Sequence, residues 1–218
     1  MTQADGASDS FITQHTRIAS APLTPELRFH LADETIEIWT RTEEALGEIG
    51  LPPPFWAFAW AGGQALARYV LDNPDLVAGA RVLDFACGCG VAGIGAAKAG
   101  AAKVDASEID PFAVAATRLN AALNGVEVDA QLADITGTDG GWDVVLAGDV
   151  FYEAPGATRI ADWLASLHAR GAMVLIGDPG RTFLPRSRLE ALARYDTPVS
   201  RDLEDREVRL ARVWRFAG

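Results

Sequence analysis

From residue 81 onward, short apolar runs alternate with segments whose apolar residues recur every three or four positions. RVLDFA, KVDASE, VEVDAQL, WDVVLAG and AMVLIG have the length and pattern of strands, whereas VAGIGAAKAG, PFAVAATRLNAALNG and PGATRIADWLASLHARG have helical spacing. Pro111 near a helix start and Gly125 just past its end fit the chemistry of those termini. Alternating strands and helices predict a mostly parallel sheet covered on both faces. RSRLEALARY reads as a last helix, and TPVSRDL and REVRLARVWRF read as two closing strands, near enough in sequence to pair antiparallel at the sheet edge.

Upstream the pattern is less regular. Residues 1 to about 20 are polar and small, with Phe11, Ile12 and Ile18 as their large apolar side chains, and suggest a mobile arm or a weakly docked helix. Leu27, Phe29 and Leu31 alternate as in a strand, and so do Ile36 and Ile38, whereas EEALGEIG has helical character. Residues 1–50 are therefore expected to be an N-terminal extension, partly mobile, ahead of a domain over 51–218. That domain opens with LPPPFWAFAW, where three prolines oppose a helix start and two Trp and two Phe crowd together. GGQALARYVLDNP follows as a helix entered through Gly62 and Gly63 and stopped before Pro74.

With 218 residues, 49% of them hydrophobic, the chain can bury one full core. Its net charge of −11 offers a phosphate backbone little attraction, which disfavours general nucleic-acid binding. The acidity is uneven: residues 159–218 carry 11 Arg and 8 acids, so the last quarter is net basic. Without an apolar run long enough for a membrane span or a secretory signal at the N-terminus, the expectation is a soluble, cytoplasmic monomer with no membrane partner. Cys87 and Cys89 form no disulfide framework and supply too few ligands for zinc, so no metal is expected. His15, His30 and His168 are scattered, and none is nominated as a base.

The chemistry concentrates in VLDFACGCGVAG, a strand, a glycine-rich turn and a helix. Gly88, Gly90 and Gly93 satisfy G-x-G-x-x-G, which brings backbone close to a ligand and opens a helix N-terminus toward it. The same spacing also serves a tight turn that holds no ligand. Three acids sharpen the choice. Asp84, inside the strand end, suits a cationic ammonium and would repel a pyrophosphate. Glu108, 20 residues past Gly88, can accept both hydroxyls of a ribose. Asp134, after the third strand, is placed to accept from an exocyclic amine. Together they would hold a ligand with an amino-acid head, a ribose and an adenine.

With those residues in place, the segment from 51 to 216 resembles the class I S-adenosylmethionine-dependent methyltransferases, and VLDFACGCG is similar to their first motif. The resemblance implies an α/β fold, a seven-stranded Rossmann-like sheet that is mostly parallel and ends in an antiparallel pair. It implies S-adenosylmethionine as cofactor, with Asp84 near the methionine amino group and Ala86 and Gly88 lining the turn. Glu108 with Ile109 would meet the ribose, and Asp134 with Ile135 would flank the adenine. PPPFWAFAWAGGQALARYVLDNP and GDVFYE are further similar to the electron transfer flavoprotein β-subunit lysine methyltransferases, within a group sharing Asp-x-x-Tyr/Phe after the fourth strand. Here that motif is Asp149 to Tyr152, and Trp60-Ala61-Gly62-Gly63 stands where many relatives have Trp-Pro-Gly-Gly.

The resemblance implies methyl transfer to a lysine amine, with Asp149 and Tyr152 as catalytic residues, Trp60 walling cofactor or substrate, and the electron transfer flavoprotein β subunit as protein partner. Asp149 is expected to orient the incoming lysine by accepting a hydrogen bond from its nitrogen. A ribosomal protein or a small-molecule amine is the alternative acceptor. A nicotinamide-dependent oxidoreductase fits Asp84 poorly, and a non-catalytic nucleotide-binding protein would bind the cofactor without turnover. In GDPGRTF, Asp178 and Arg181 follow a strand end where a substrate loop would lie, although a plain Pro-Gly turn with solvated charges has the same sequence.

Overall fold

The computed structural model describes residues 3–33, 37, 38, 40, 41, 53–198 and 208–217. In chain order the elements are α1 (Gln3–His15), β1 (Arg17–Ala21), β2 (Thr24–Leu31), α2 (Ala61–Asp72), β3 (Arg81–Phe85), α3 (Val91–Lys98), β4 (Lys103–Glu108), α4 (Pro111–Leu123), β5 (Asp129–Leu132), β6 (Val144–Gly148), α5 (Ala154–Ala169), β7 (Met173–Asp178), β8 (Leu189–Pro198) and β9 (Val208–Phe216). β3 to β9 form one seven-stranded sheet in the order β5-β4-β3-β6-β7-β9-β8. Pairing is parallel from β5 through β7, and β9 runs antiparallel to both β7 and β8.

The central strands read as continuous apolar runs because both sheet faces are covered. Val82, Val144, Leu146 and Leu175 point to one face, where they pack with Ala65, Leu66 and Val70 of α2 and Ala92 and Ala96 of α3. Leu83, Val145, Ala147, Val174 and Ile176 point to the other and meet Ala157, Ala161, Leu164 and Leu167 of α5. Each fully buried aliphatic side chain here contributes about 1.5–3 kcal/mol. α4 lays Val114 on Ala106 and Ala130 of the β4–β5 pair. Its ends carry the expected chemistry: Asp110 accepts from Phe112 N at 2.8 Å, Pro111 opens the helix, and Gly125 follows it at φ +62°.

Two expectations fail. RSRLEALARY is not a helix: apart from a short 3-10 turn at Arg186–Arg188, it enters β8, the edge strand. A register shift between Ala191 and Ala193 moves the side-chain alternation by one place, so that Leu189 packs with Phe216 in one cluster while Leu192, Ala193 and Tyr195 pack against the cluster of Ala211 and Val213. That bulge creates the three-residue spacing of Leu189 and Leu192 that mimics a helix. The closing pair is consequently shifted: TPVSRDL supplies only Thr197 and Pro198 to β8, with Pro198 opposite Val208, and residues 199–207 lie outside the described residues.

Residues 3–31 build ordered elements. Leu27 and Phe29 are buried on the alternating face of β2, as the pattern predicts, and Ile12 of α1 is fully buried beside Trp56, Ile38 and Phe112. α1 is thus a docked helix. The edge of β2 is held by side-chain amides of the α4 segment: Asn120 Oδ1 accepts from His30 N at 2.7 Å, and Asn124 bonds both Arg28 N and Arg28 O. Ile38 is helical in place of the expected alternation with Ile36, which lies outside the described residues, as do EEALGEIG and the expected boundary at residue 50.

Candidate active site

The carboxyl ends of β3, β4, β6 and β7 meet at one rim, where open α/β sheets place their ligands. Among the described residues, the non-glycine residues at positive φ are Ala86 (54°) and Asp149 (60°), each just past the end of one of the adjacent strands β3 and β6. A side chain in this region costs about 1–2 kcal/mol, a strain that concentrates at functional sites. A cleft between the two turns is lined by Trp60, Asp84, Ala86, Gly88 and Asp149, with Cys87, Cys89, Gly63 and Phe58 beside them.

Asp84 is buried, and its Oδ2 accepts from Gly93 N of α3 at 2.7 Å. Burial pushes its carboxyl up to about 7, against the Gly93 hydrogen bond, and nearby Glu108 adds to the rise. Glu108 closes β4, accepts from Ile109 N at 2.9 Å and is also raised, first by burial. Two shielded carboxylates, Asp84 raised in part by Glu108 and Glu108 in part by Asp110, form a site that favours a cation, and their oxygens can accept from an amino-acid ammonium. Gly88 sits at φ +54°, and a Cβ there would meet only Phe55 O at 3.8 Å, leaving backbone open to a ligand. Cys87 and Cys89 are buried free thiols, both pushed up chiefly by burial, Cys89 to about 12. The turn is anchored from α4, where Thr117 Oγ1 donates to Gly88 O at 3.2 Å and Asn120 Nδ2 to Cys89 O at 2.9 Å.

Asp149 is buried, and its own carboxyl is raised by desolvation, with Arg181 opposing. Its Oδ2 accepts from Gly63 N at 3.0 Å, in the first turn of α2, where helix N–H groups lack internal partners. Its Oδ1 receives Arg181 Nη2 at 2.7 Å and Nε at 3.2 Å. The Arg181 guanidinium also lies 5.6 Å from the centroid of the Trp60 ring, a cation–π distance. Asp178 fixes this loop, its Oδ1 accepting from Gly180 N at 2.6 Å and Arg181 N at 2.7 Å. The sequence marked Asp178 and Arg181 as a loop candidate and missed that Arg181 returns to Asp149. It also missed the N–H that Gly63 supplies, although a Gly-Gly pair opening a helix is the signal for one.

The other expected residues surround this core unevenly. Trp60 donates its indole N–H to Phe55 O at 2.8 Å, and Phe55 in turn meets the exposed Tyr152 ring at 5.5 Å. Ile109 is largely exposed next to Glu108, as the outer edge of the rim. Asp134 and Ile135 lie past β5, outside the cleft lining. Asp134 is exposed, accepts from Thr136 N and pairs with Arg159 at 2.9 Å, contacts that hold its carboxyl below the ordinary value, Thr136 contributing most. Ile135 packs partly on the core beneath α5.

This sheet order, with its antiparallel last strand and acid-flanked glycine turn, is that of the class I S-adenosylmethionine-dependent methyltransferases. Magnesium protoporphyrin IX methyltransferase from Synechocystis PCC 6803, solved with S-adenosylmethionine bound, shares the fold at a TM-score of 0.53 and 18% identity, covering 71% of this chain and 78% of that chain. Residues 64–150 match the family model of the ribosomal protein L11 methyltransferase. Sequence similarity reaches further. The electron transfer flavoprotein beta subunit lysine methyltransferase of Xenopus laevis is 43% identical over 95% of this chain and 86% of its own, and that of Danio rerio 40% identical over 95% and 82%. The chain belongs to the electron transfer flavoprotein beta subunit lysine methyltransferase family, and it is an S-adenosylmethionine-dependent methyltransferase.

Proposed function

We propose that this protein methylates lysine side chains of the electron transfer flavoprotein β subunit, acting as a cytoplasmic monomer without a nucleic-acid partner. The observation that carries the proposal is the buried Asp149, braced by α2 and Arg181 beside Trp60 at the mouth of a cleft whose floor holds Asp84. In this reading residues 51–218 are the catalytic domain and 1–50 its extension. Asp84, Ala86 and Gly88 face the amino-acid end of the cofactor, Glu108 and Ile109 its ribose, and Asp134 and Ile135 its adenine. The Arg159 pair with Asp134 must then yield or share that carboxylate.

Lysine attacks only as the neutral amine, and with an ordinary pKa of about 10.4 it is almost wholly protonated near neutrality. When bound, the cofactor supplies a methyl on a sulfonium, whose C–S bond breaks as the amine nitrogen forms the new C–N bond, leaving a neutral thioether and a methylammonium. The protein contributes position and desolvation. Asp149 Oδ1 already takes two donors from Arg181, whereas Oδ2, holding Gly63 N, keeps a lone pair that accepts from an amine N–H. Trp60, with Phe55 and Tyr152 around it, excludes water and tolerates the aliphatic stem.

Incubating the protein with S-adenosylmethionine and the purified flavoprotein β subunit, then mapping methyl-lysine by mass spectrometry, tests the proposal. Methyl-lysine that appears with wild type and fails to appear with Asp149→Asn, while cofactor binding persists, supports it. Methylation found on a ribosomal protein or a small amine, with the flavoprotein unmodified, overturns it.

A further inference from the structure

We infer that Arg181 is a positioning residue that keeps Asp149 electrically neutralised, so that the acceptor lysine enters the site as its uncharged amine. The inference rests on the proposed lysine methylation and concerns how that site obtains its nucleophile.

Three features of the geometry carry it. Both Nε and Nη2 of Arg181 converge on Oδ1 of Asp149, at 3.2 and 2.7 Å, in the forked arrangement that a guanidinium makes and an ammonium cannot. The pair is shielded, with side-chain exposures of 20% for Arg181 and 10% for Asp149. The arginine is also delivered, since the β7 end holds its backbone N–H on Asp178 and the Trp60 ring lies along its guanidinium.

The surrounding charges make such a neutraliser necessary. Asp178 faces the pair from the end of β7, Asp84 and the thiols Cys87 and Cys89 face Asp149 across the cleft, Tyr152 and Glu153 follow it in the next turn, and Glu108 lies behind Tyr152. A carboxylate left bare among these acids would hold an entering lysine as ammonium, raising its pKa by about 1–3 units, the opposite of what attack requires. Arginine suits the task because it stays charged across the range in which lysine titrates. With Asp149 already paired, an entering amine meets an acceptor that positions it and gains little by keeping its third proton, which leaves to water before attack.

The test compares wild type, Arg181→Met and Arg181→Lys on the flavoprotein β subunit, following kcat and KM from mildly acid to alkaline pH. In Arg181→Met the rising limb of kcat, which reports the bound complex, is expected to move about 1–2 units alkaline. Turnover near neutrality then falls about 10- to 100-fold and recovers in alkali, while KM falls because Asp149 now pairs with the ammonium. Arg181→Lys keeps the charge and a limb near that of wild type. A loss of kcat parallel at all pH values overturns the inference in favour of a purely structural arginine. A rise in kcat near neutrality overturns it in favour of a plug that competes with lysine. Calorimetry on the wild-type S-adenosylhomocysteine complex, run in two buffers of different ionisation enthalpy, gives a readout free of turnover and of any variant's folding. Acceptor binding near neutrality must release a proton, and binding without release overturns the inference. If wild type leaves the flavoprotein unmethylated, the proposed function itself fails, a result seen before any variant is compared.

Discussion

Replacing Gly62 by alanine perturbs the contact on which the acceptor side of the cleft depends. A Cβ at this position would stand 2.1 Å from Gly177 O and 2.6 Å from Asp149 Oδ2. That carbonyl cannot retreat, because Gly177 lies in β7 between β6 and β9 and its oxygen accepts from Asp149 N at 2.9 Å. Relief has to come from α2, which must withdraw by about 1.4 Å to reach ordinary contact distance. Such a shift takes the 3.0 Å bond from Gly63 N to Asp149 out of useful range. Overpacking costs about 1–3 kcal/mol and the lost charge-assisted bond about 1.5–3 kcal/mol, while alanine's helix preference returns at most about 1 kcal/mol. The expected net loss is about 1.5–5 kcal/mol, read in urea as a midpoint lower by about 0.5–2.5 M at a slope of about 2 kcal/mol/M. Gly156→Ala in α5, where the nearest atom is Ile160 Cδ1 at 3.9 Å, is the control and should unfold with wild type or slightly later. If Gly62→Ala also unfolds with wild type, the close approach of α2 to β7 is wrong, and with it the support of Asp149.

Other outcomes follow from the same geometry. Because burial raises Asp84 from 3.8 to about 7, ionising it costs the ligand-free fold stability across that window, and stability falls as pH rises through it. A cationic ligand needs the ionised form, so the calorimetric affinity for S-adenosylmethionine should weaken about tenfold per pH unit below about 7, and a pH-independent affinity would refute this role. Ala61→Pro should stabilise the protein by about 0.4–1 kcal/mol, because residue 61 opens α2 and Trp60, at φ −67° and ψ 152°, already has the conformation required before proline. A lower thermal midpoint would contradict it. Cys87 and Cys89 should resist alkylation in the folded protein and react fully in denaturant, and fast reaction at neutral pH would mean that the turn is open.

The parallel part of the sheet was legible because its strands are apolar on both faces and its helices carry punctuation, as Asp110, Pro111 and Gly125 do around α4. The edge was not, since a bulged strand half exposed to solvent presents the spacing of a short helix, as Leu189 and Leu192 do. At the rim, the placement of Asp84 inside the end of β3 and of Gly88 and Asp149 in the turns after β3 and β6 was legible from the sequence. The ion pair of Arg181 with Asp149 was not, because it joins residues 32 apart through a loop whose path only Asp178 determines. The tie from Asn120 to His30, 90 residues away, was equally hidden, since an asparagine inside a helix carries no mark of its partner.

That asparagine has a consequence for how the molecule responds to its cofactor. One side chain accepts from the backbone of β2 and donates to the backbone of the glycine turn, and Thr117, one helical turn earlier, secures the same turn. Loading the turn therefore damps motion along a route that leads out through α4 to the hairpin of β1 and β2. Amide hydrogens of β2, His30 above all, should exchange more slowly once the cofactor is bound, although no ligand atom reaches them. The N-terminal hairpin thereby becomes a remote reporter of occupancy.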